Sequence, residues 1–453
     1  MKNNKFKIYL TTAVIGMSIM SCSVLETNEV IDPNSPRFEL EPVTGTVLNN
    51  ATREQLDALA IGQISRARNG VDTYLQVMGT LGKELFNFNT TESRWMTELN
   101  GLRPIDNSAF YNGATTSFGP PVRQANTLLA SVEKTKSTLI SEEQKNGYRG
   151  LANTFKGLAY LYQLNAQYTN GVRLDVNDPL KPSKFATYEE SLAGIKKFLD
   201  EGSSQLDKAG ASFAFRFPVT YAGFNTPANF KKFNRAIALR VALYQKDWAG
   251  ANTILPQTFY NLTGNLNTGP SHAFNPTSPD IQNPLLNTSS VRVVAIDKLV
   301  TDAEAGDLRV SSKLNKLEKA LTYTSGTVVS SNYLFKIYTA GDQSVPIIRN
   351  EELILASAEI AAQQGRTADA VAHINVIRKA AGLTDYKGAT TQTALINAIL
   401  KERLYSLWYE GHRLVDMRRY GKIAEIFVPV AAMKVLEKLE RPVAEVNWDK
   451  ANP

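Results

Sequence analysis

Glu402 and Glu410 are the residues whose type and spacing most invite a catalytic reading, as a pair of carboxylates on one amphipathic segment. On a helix their eight-residue separation amounts to about 12 Å, beyond the roughly 5–9.5 Å used by the carboxyl pairs of glycoside hydrolases. Their neighbours favour a structural role. Leu395, Ile399, Glu402, Arg403, Ser406, Glu410, Arg413 and Met417 share one stripe of a helix expected from about Gln392 to Tyr420, and its apolar ends imply a covered, charge-paired middle. Glu402, Arg403, Glu410 and Arg413 are therefore expected to form an ion network locking this helix to the body. Other reactive groups are sparse. His272, His373 and His412 stand in no ligand spacing, and a single cysteine, Cys22, excludes an intramolecular disulfide and a thiolate metal cluster. No catalytic residue and no cofactor is assigned; an oxygen-only structural Ca²⁺ site stays open. Neither a nucleophile elbow nor a Gly-x-Gly-x-x-Gly phosphate loop is present.

Residues suited to gripping a ligand lie in irregular segments. Sugar rings offer apolar C–H faces to aromatic rings and hydroxyls to polar side chains. Trp95 and Arg94 beside Asn89, Phe110 and Tyr111 in the polar loop 107–113, and Tyr260 and Phe274 further on are the candidates. Packing beneath the loop is the competing role for Trp95 and Tyr111.

The amino terminus sets the compartment. Lys2, Lys5 and Lys7 precede an apolar run from Ile8 to Met20, then Ser21 and Cys22. This reads as a secretion signal, too short to span a bilayer. Ile19-Met20-Ser21-Cys22 resembles a bacterial lipoprotein cleavage box, which implies a signal peptide over 1–21 and an acylated (palmitate-type) Cys22 as the mature first residue. Residues 22–50, with Pro33, Pro36 and Pro42, read as a tether, and 51–453 as one body. Removing the three leader lysines lowers the net charge from +7 to +4, spread along the chain. Such a surface is not a phosphate-tracking stripe, so nucleic acid is not an expected partner.

The positioning elements read as helices. Apolar residues recur at three and four over Glu54–Lys83, Val122–Glu133, Ser141–Tyr168, Tyr188–Lys208, Asn229–Gln245, Ala249–Leu255, Asn350–Gln364 and Ala368–Ala381. Ala358, Gly365, Ala370 and Ile374 fit a tetratricopeptide-like pair, with a weaker copy at Leu239, Trp248, Ala251 and Leu255. Residues 87–121 and 258–290 read as loops, with short β-like runs at Val291–Ile296 and Tyr333–Tyr338. The expected fold is mainly all-α: a superhelix of tetratricopeptide-like pairs, a few short strands, and an irregular region over about 258–345.

Several motifs together resemble one family. Pro346-Ile347-Ile348-Arg349-Asn350-Glu351-Glu352-Leu353, Ala358-Glu359, Ile374-Asn375-Val376-Ile377-Arg378 with Ala381-Gly382-Leu383, and Glu402-Arg403 through Glu410-Gly411-His412-Arg413, Asp416 and Arg419 look like the carboxy-terminal signature of SusD/RagB lipoproteins. Upstream, Asn87–Leu99, Ala159–Leu164, Tyr188–Leu206 and Asp307-Leu308-Arg309 follow in order. The resemblance implies a non-enzymatic, lipid-anchored nutrient-binding protein of the outer membrane, on the cell surface of Bacteroidetes-type bacteria. It also implies a SusC-type TonB-dependent transporter as partner and an oligosaccharide as ligand. An oligopeptide ligand and, in another class, a lipid-anchored glycoside hydrolase or a protein-binding scaffold are the alternatives. No ligand contact transfers from the shared motifs.

Overall fold

Helix starts are written locally in this sequence. In the computed structural model, which describes residues 49–178 and 180–452, Thr52, Ser141 and Thr187 each cap a helix while Gln55, Gln144 and Glu190 bond back to the cap backbone. These open α1 (Arg53–Arg66), α4 (Glu142–Gln167) and α5 (Tyr188–Leu206). Between α1 and α4 lie α2 (Val71–Leu81) and α3 (Gly119–Lys134). Thr226 and Pro227 begin α6 (Pro227–Tyr244), and a tight turn leads to α7 (Trp248–Ile254). The carboxy-terminal part holds α8 (Asn350–Gln363), α9 (Thr367–Ala380), α10 (Gln392–Ser406), α11 (Arg413–Arg419) and α12 (Val443–Ala451).

Successive helices pack as antiparallel neighbours: α3 on α4, α4 on α5, α5 on α6, α6 on α7, and α8 on both α9 and α10. The centre is α4, buried around most of its circumference because α1, α3 and α5 enclose it. Glycines let α5 approach closely: a Cβ at Gly150 would stand 2.6 Å from Leu206, and one at Gly157 2.8 Å from Leu199. The tetratricopeptide-like reading holds at α8 and α9, where Ala358, Ala370 and Ile374 are fully buried on α10.

A four-stranded sheet interrupts the helices, and a short antiparallel pairing of Ser271–His272 with Val345–Pro346 makes a second, two-stranded one. Strands β1 (Phe86–Asn89), β2 (Val291–Ala295), β3 (Leu314–Tyr323) and β4 (Val329–Phe335) form an antiparallel sheet in the order β1-β2-β4-β3, with Phe86 opposite Val294. Phe86, Phe88, Val294, Tyr323 and Val329 close on Met96 and Met433 as a core of their own. After α11 the chain wraps back, with Lys434 N–H donating to Asn100, Leu439 N–H to Ala166 and Val443 N–H to Asn107.

Four expectations change. The helix over Glu54–Lys83 is two, α1 and α2, and the last helix breaks after Ser406, where Tyr409 and Gly411 adopt left-handed backbone. Within the expected loop 87–121, β1 runs to Asn89 and α3 begins at Gly119; β3 and α12 were not anticipated. The stretch 258–290 is laced to the start of α8: Asn350 N–H donates to Thr268, Glu351 N–H to Leu266, and Asn350 Oδ1 accepts from Asn261 N–H. The signal peptide, Cys22 and the tether up to residue 48 lie outside the described residues.

Candidate functional site

The structure gathers four of the candidate side chains into one patch. Strand β1 ends at Asn89, whose side chain accepts from the backbone of Thr91 and Glu92 and turns the chain into a single helical turn, Arg94–Thr97. The Trp95 ring lies 5.0 Å from Phe110, and Phe110 meets Tyr111 edge-on at 5.2 Å. Arg94 covers the Phe110 ring at 5.3 Å while its guanidinium forks onto Glu92 at 2.9 and 2.7 Å, with Asp106 at 3.5 Å. Arg94 is the first cause holding the Glu92 carboxyl below its ordinary range, and Ser108 does the same for Asp106.

Burial divides the roles. Phe110 is 37% exposed, whereas Trp95 is 7% and Tyr111 0% exposed. Tyr111 is a strut: its hydroxyl donates to Glu98 at 2.5 Å and accepts from the Asp106 N–H at 2.6 Å, and burial pushes its pKa up. The ring displayed by this loop is therefore Phe110, with Trp95 and Tyr111 packed beneath it. Burial thus sides with the packing role weighed for Trp95 and Tyr111.

Tyr260 and Phe274 lie apart from this patch. Tyr260 is half-buried against α8 and α9, where its hydroxyl accepts from Ser357 at 3.4 Å and its ring stands 6.3 Å from His373. Phe274 is buried under Arg68 at 5.0 Å, whose guanidinium also bonds Asp280 and the Ala273 carbonyl. Both tie the 258–290 stretch to the helices.

The carboxylates of the last helix are each committed to arginines. Glu402 lies between Arg378 at 3.0 Å and Arg309 at 2.7 Å, and Arg309 also donates to Ser406 Oγ. Arg403 pairs with Asp416 at 2.7 Å, and Glu410 with Arg349 from the start of α8. Arg413 departs from the expected network. It opens α11 beyond the break and has no ion-pair partner within 4.0 Å among the described residues. The break turns α11 out of line with α10, so the assumed spacing between Glu410 and Arg413 does not exist.

Sequence reasoning did not name the partners of this seam: Arg309, Arg349 and Arg378, and beyond them Arg240 and Arg419. Arg240 on α6 forks onto Glu352 of α8, both distances 2.6 Å, and Arg419 joins Glu359 and Asp416. No short spacing could reveal Arg240, because it and Glu352 are 112 positions apart, whereas Arg419 stands three residues from Asp416. Among the described residues no group of three or more His, Cys, Asp or Glu side chains is gathered for a metal, and no helix is long and apolar enough to cross a membrane.

Comparison places this fold among known proteins. Residues 323–452 match the model of the SusD family. A SusD superfamily protein from Bacteroides vulgatus shares 16% identity at a TM-score of 0.63, over 87% of this chain and 97% of that one. Surface glycan-binding protein A from Bacteroides thetaiotaomicron gives 13% and 0.69, over 90% and 99%. The same protein in complex with laminarihexaose gives 13% and 0.67, over 88% and 98%. The sequence has no match among curated proteins. Residues 323–452 are thus similar to the SusD family, and the helical fold of the chain is the one these structures share.

Proposed function

We propose that this SusD-like protein is a surface lipoprotein that binds an oligosaccharide without cleaving it and delivers it to a SusC-type TonB-dependent transporter. The observation that carries the reading is the exposed Phe110 ring, backed by Trp95 and Tyr111 and flanked by Arg94, Glu92 and Asp106. An apolar ring face beside charged hydrogen-bonding groups suits a pyranose, which has C–H faces and equatorial hydroxyls. The similarity to a structure containing laminarihexaose supports a glycan as the ligand class. Catalysis has no equivalent support, because Glu402 and Glu410 are both taken up in ion pairs. Acylated Cys22 is the membrane anchor in this reading, and delivery to the transporter follows from the family resemblance.

Isothermal titration with a glycan panel that begins with laminarihexaose tests the proposal, alongside an assay for new reducing ends. Binding without new ends, weakened by Phe110→Ala, is the expected result. New reducing ends, or binding indifferent to Phe110→Ala, would overturn it.

A further inference from the structure

A cleft of about 470 Å³ lies where the end of α4, the start of α5, the end of α6 and α11 meet, and none of its lining residues belongs to the Phe110 patch. That volume falls within the roughly 300–1,000 Å³ of small-molecule pockets. Two of its lining residues are arginines buried by more than nine-tenths, Arg418 at 8% and Arg419 at 7% exposure. They are not equivalent. Arg419 is neutralised by Glu359 and Asp416. Arg418 has no carboxylate within 4.0 Å among the described residues; it donates only to the carbonyls of Glu437 and Asn165, both at 2.7 Å, and its Nε has no partner.

The rest of the lining repeats the theme. Arg418 lies over the Tyr168 ring at 4.4 Å, and Tyr188 meets that ring edge-on at 4.9 Å. The hydroxyls of Tyr168, Tyr188 and Tyr244 make no hydrogen bond among the described residues, although all three residues line the cleft. Lys246 adds a second, exposed cation with no ion pair among the described residues, and Glu189 is the one acid of this lining. Tyr168 and Lys246 both adopt left-handed backbone, at φ 48° and 58°. For residues with a Cβ this conformation is costly, and such strain collects where side chains are held for a purpose.

A buried guanidinium without a counter-charge is costly, and two carbonyls and a ring face offset that cost only in part. An incoming carboxylate supplies the missing charge, and tyrosine rings with free hydroxyls suit a sugar ring. We propose that this cleft binds a hexuronic acid residue, its carboxylate between Arg418 and Lys246 and its ring against Tyr168 and Tyr188. The site is separate from the Phe110 patch and does not depend on the reading of that patch.

Isothermal titration of the full chain with glucuronate, glucose and acetate tests it. Glucuronate is expected to bind at least about tenfold tighter than either control, since charge and ring must act together. Arg418→Gln removes two backbone bonds and can unfold the protein, so the lining residues Tyr188 and Lys246 carry the test. Tyr188→Phe is expected to weaken glucuronate about fivefold. Lys246→Asn, which tolerates the left-handed backbone, is expected to weaken it about threefold. Equal binding of glucuronate and either control, or glucuronate binding unaffected by both cleft substitutions, overturns the proposal.

Discussion

Arg240 and Glu352 are joined by two parallel charge-assisted hydrogen bonds of 2.6 Å, with both side chains over nine-tenths buried. This fork links α6 to α8, and Arg240 also donates to the Ile347 carbonyl just before α8, so the pair fixes how the carboxy-terminal repeat sits on the central one. Glu352→Ala leaves a buried guanidinium without its carboxylate and is expected to destabilise the protein by about 3–5 kcal/mol. Urea denaturation followed by circular dichroism measures this. A loss under about 1 kcal/mol would show that the fork is not a structural tie.

Acid sensitivity follows from the same pair and its neighbour His412, whose Nε2 stands 3.6 Å from Glu352. Burial opposes ionisation of Glu352, but Arg240 and then His412 hold its pKa down at about 2. Its contribution to stability is present above the ordinary value of 4.5 and is lost as pH falls through the folded value. Burial lowers His412 from 6.5 to about 4 against the pull of Glu352. The unfolded chain therefore takes up a proton between these values that the folded chain refuses, and stability drops as pH falls through that window. Denaturation midpoints are expected to decline from pH 7 to pH 4, with a shallower decline in His412→Gln.

Lys83 gives a test with the same sign at higher pH. Among the described residues its buried ammonium has only the Thr80 and Leu99 carbonyls as acceptors, at 3.2 and 3.3 Å, and burial lowers its pKa from 10.5 to about 7. Between those values the unfolded chain binds more protons, so stability from this group rises with pH. Lys83→Met is expected to stabilise the protein at pH 7 by about 1–3 kcal/mol, with the gain shrinking toward pH 10. The difference between variant and parent isolates this effect from Glu84, which burial raises to about 8 and which works in the reverse direction.

The break between α10 and α11 depends on Gly411, at φ 77°. A Cβ there would stand 3.0 Å from the Tyr74 ring and 3.4 Å from Leu75. Gly411→Ala is expected to cost about 2–4 kcal/mol, from left-handed backbone together with the crowded contact. Thermal denaturation measures it, and an unchanged melting temperature would show that the turn can be remade.

What could be read in advance was local. Three-to-four apolar spacing placed α4, α5 and α8 to within about two residues, because that signal lies inside the segment it describes. The charged stripe over Glu402 and Glu410 correctly implied pairing, since apolar flanks leave charges no other means of burial. Its partners Arg309, Arg349 and Arg378 come from other elements, and the break at Gly411 depends on contact with α2. The Phe110 patch was half-legible: an aromatic-bearing polar loop was visible, but which ring faces outward depends on Tyr111 reaching Glu98. The cleft at Arg418 was not legible, because Tyr168, Tyr244 and Arg418 meet only through packing.

The patch also yields a prediction that separates display from support. Phe110 is over a third exposed, so Phe110→Ala removes a ring face while leaving most of the core intact, and is expected to change stability by less than about 1.5 kcal/mol. Trp95 is buried beneath it, so Trp95→Ala leaves a cavity and is expected to cost about 3–5 kcal/mol. Glycan affinity should respond the other way: Phe110→Ala weakens it outright, while Trp95→Phe, which keeps an aromatic support, weakens it less. Denaturation and titration calorimetry on the variants decide the matter. If Trp95→Phe were more damaging to affinity than Phe110→Ala, the ligand would be meeting the lower ring, and the division of roles between the two would be wrong.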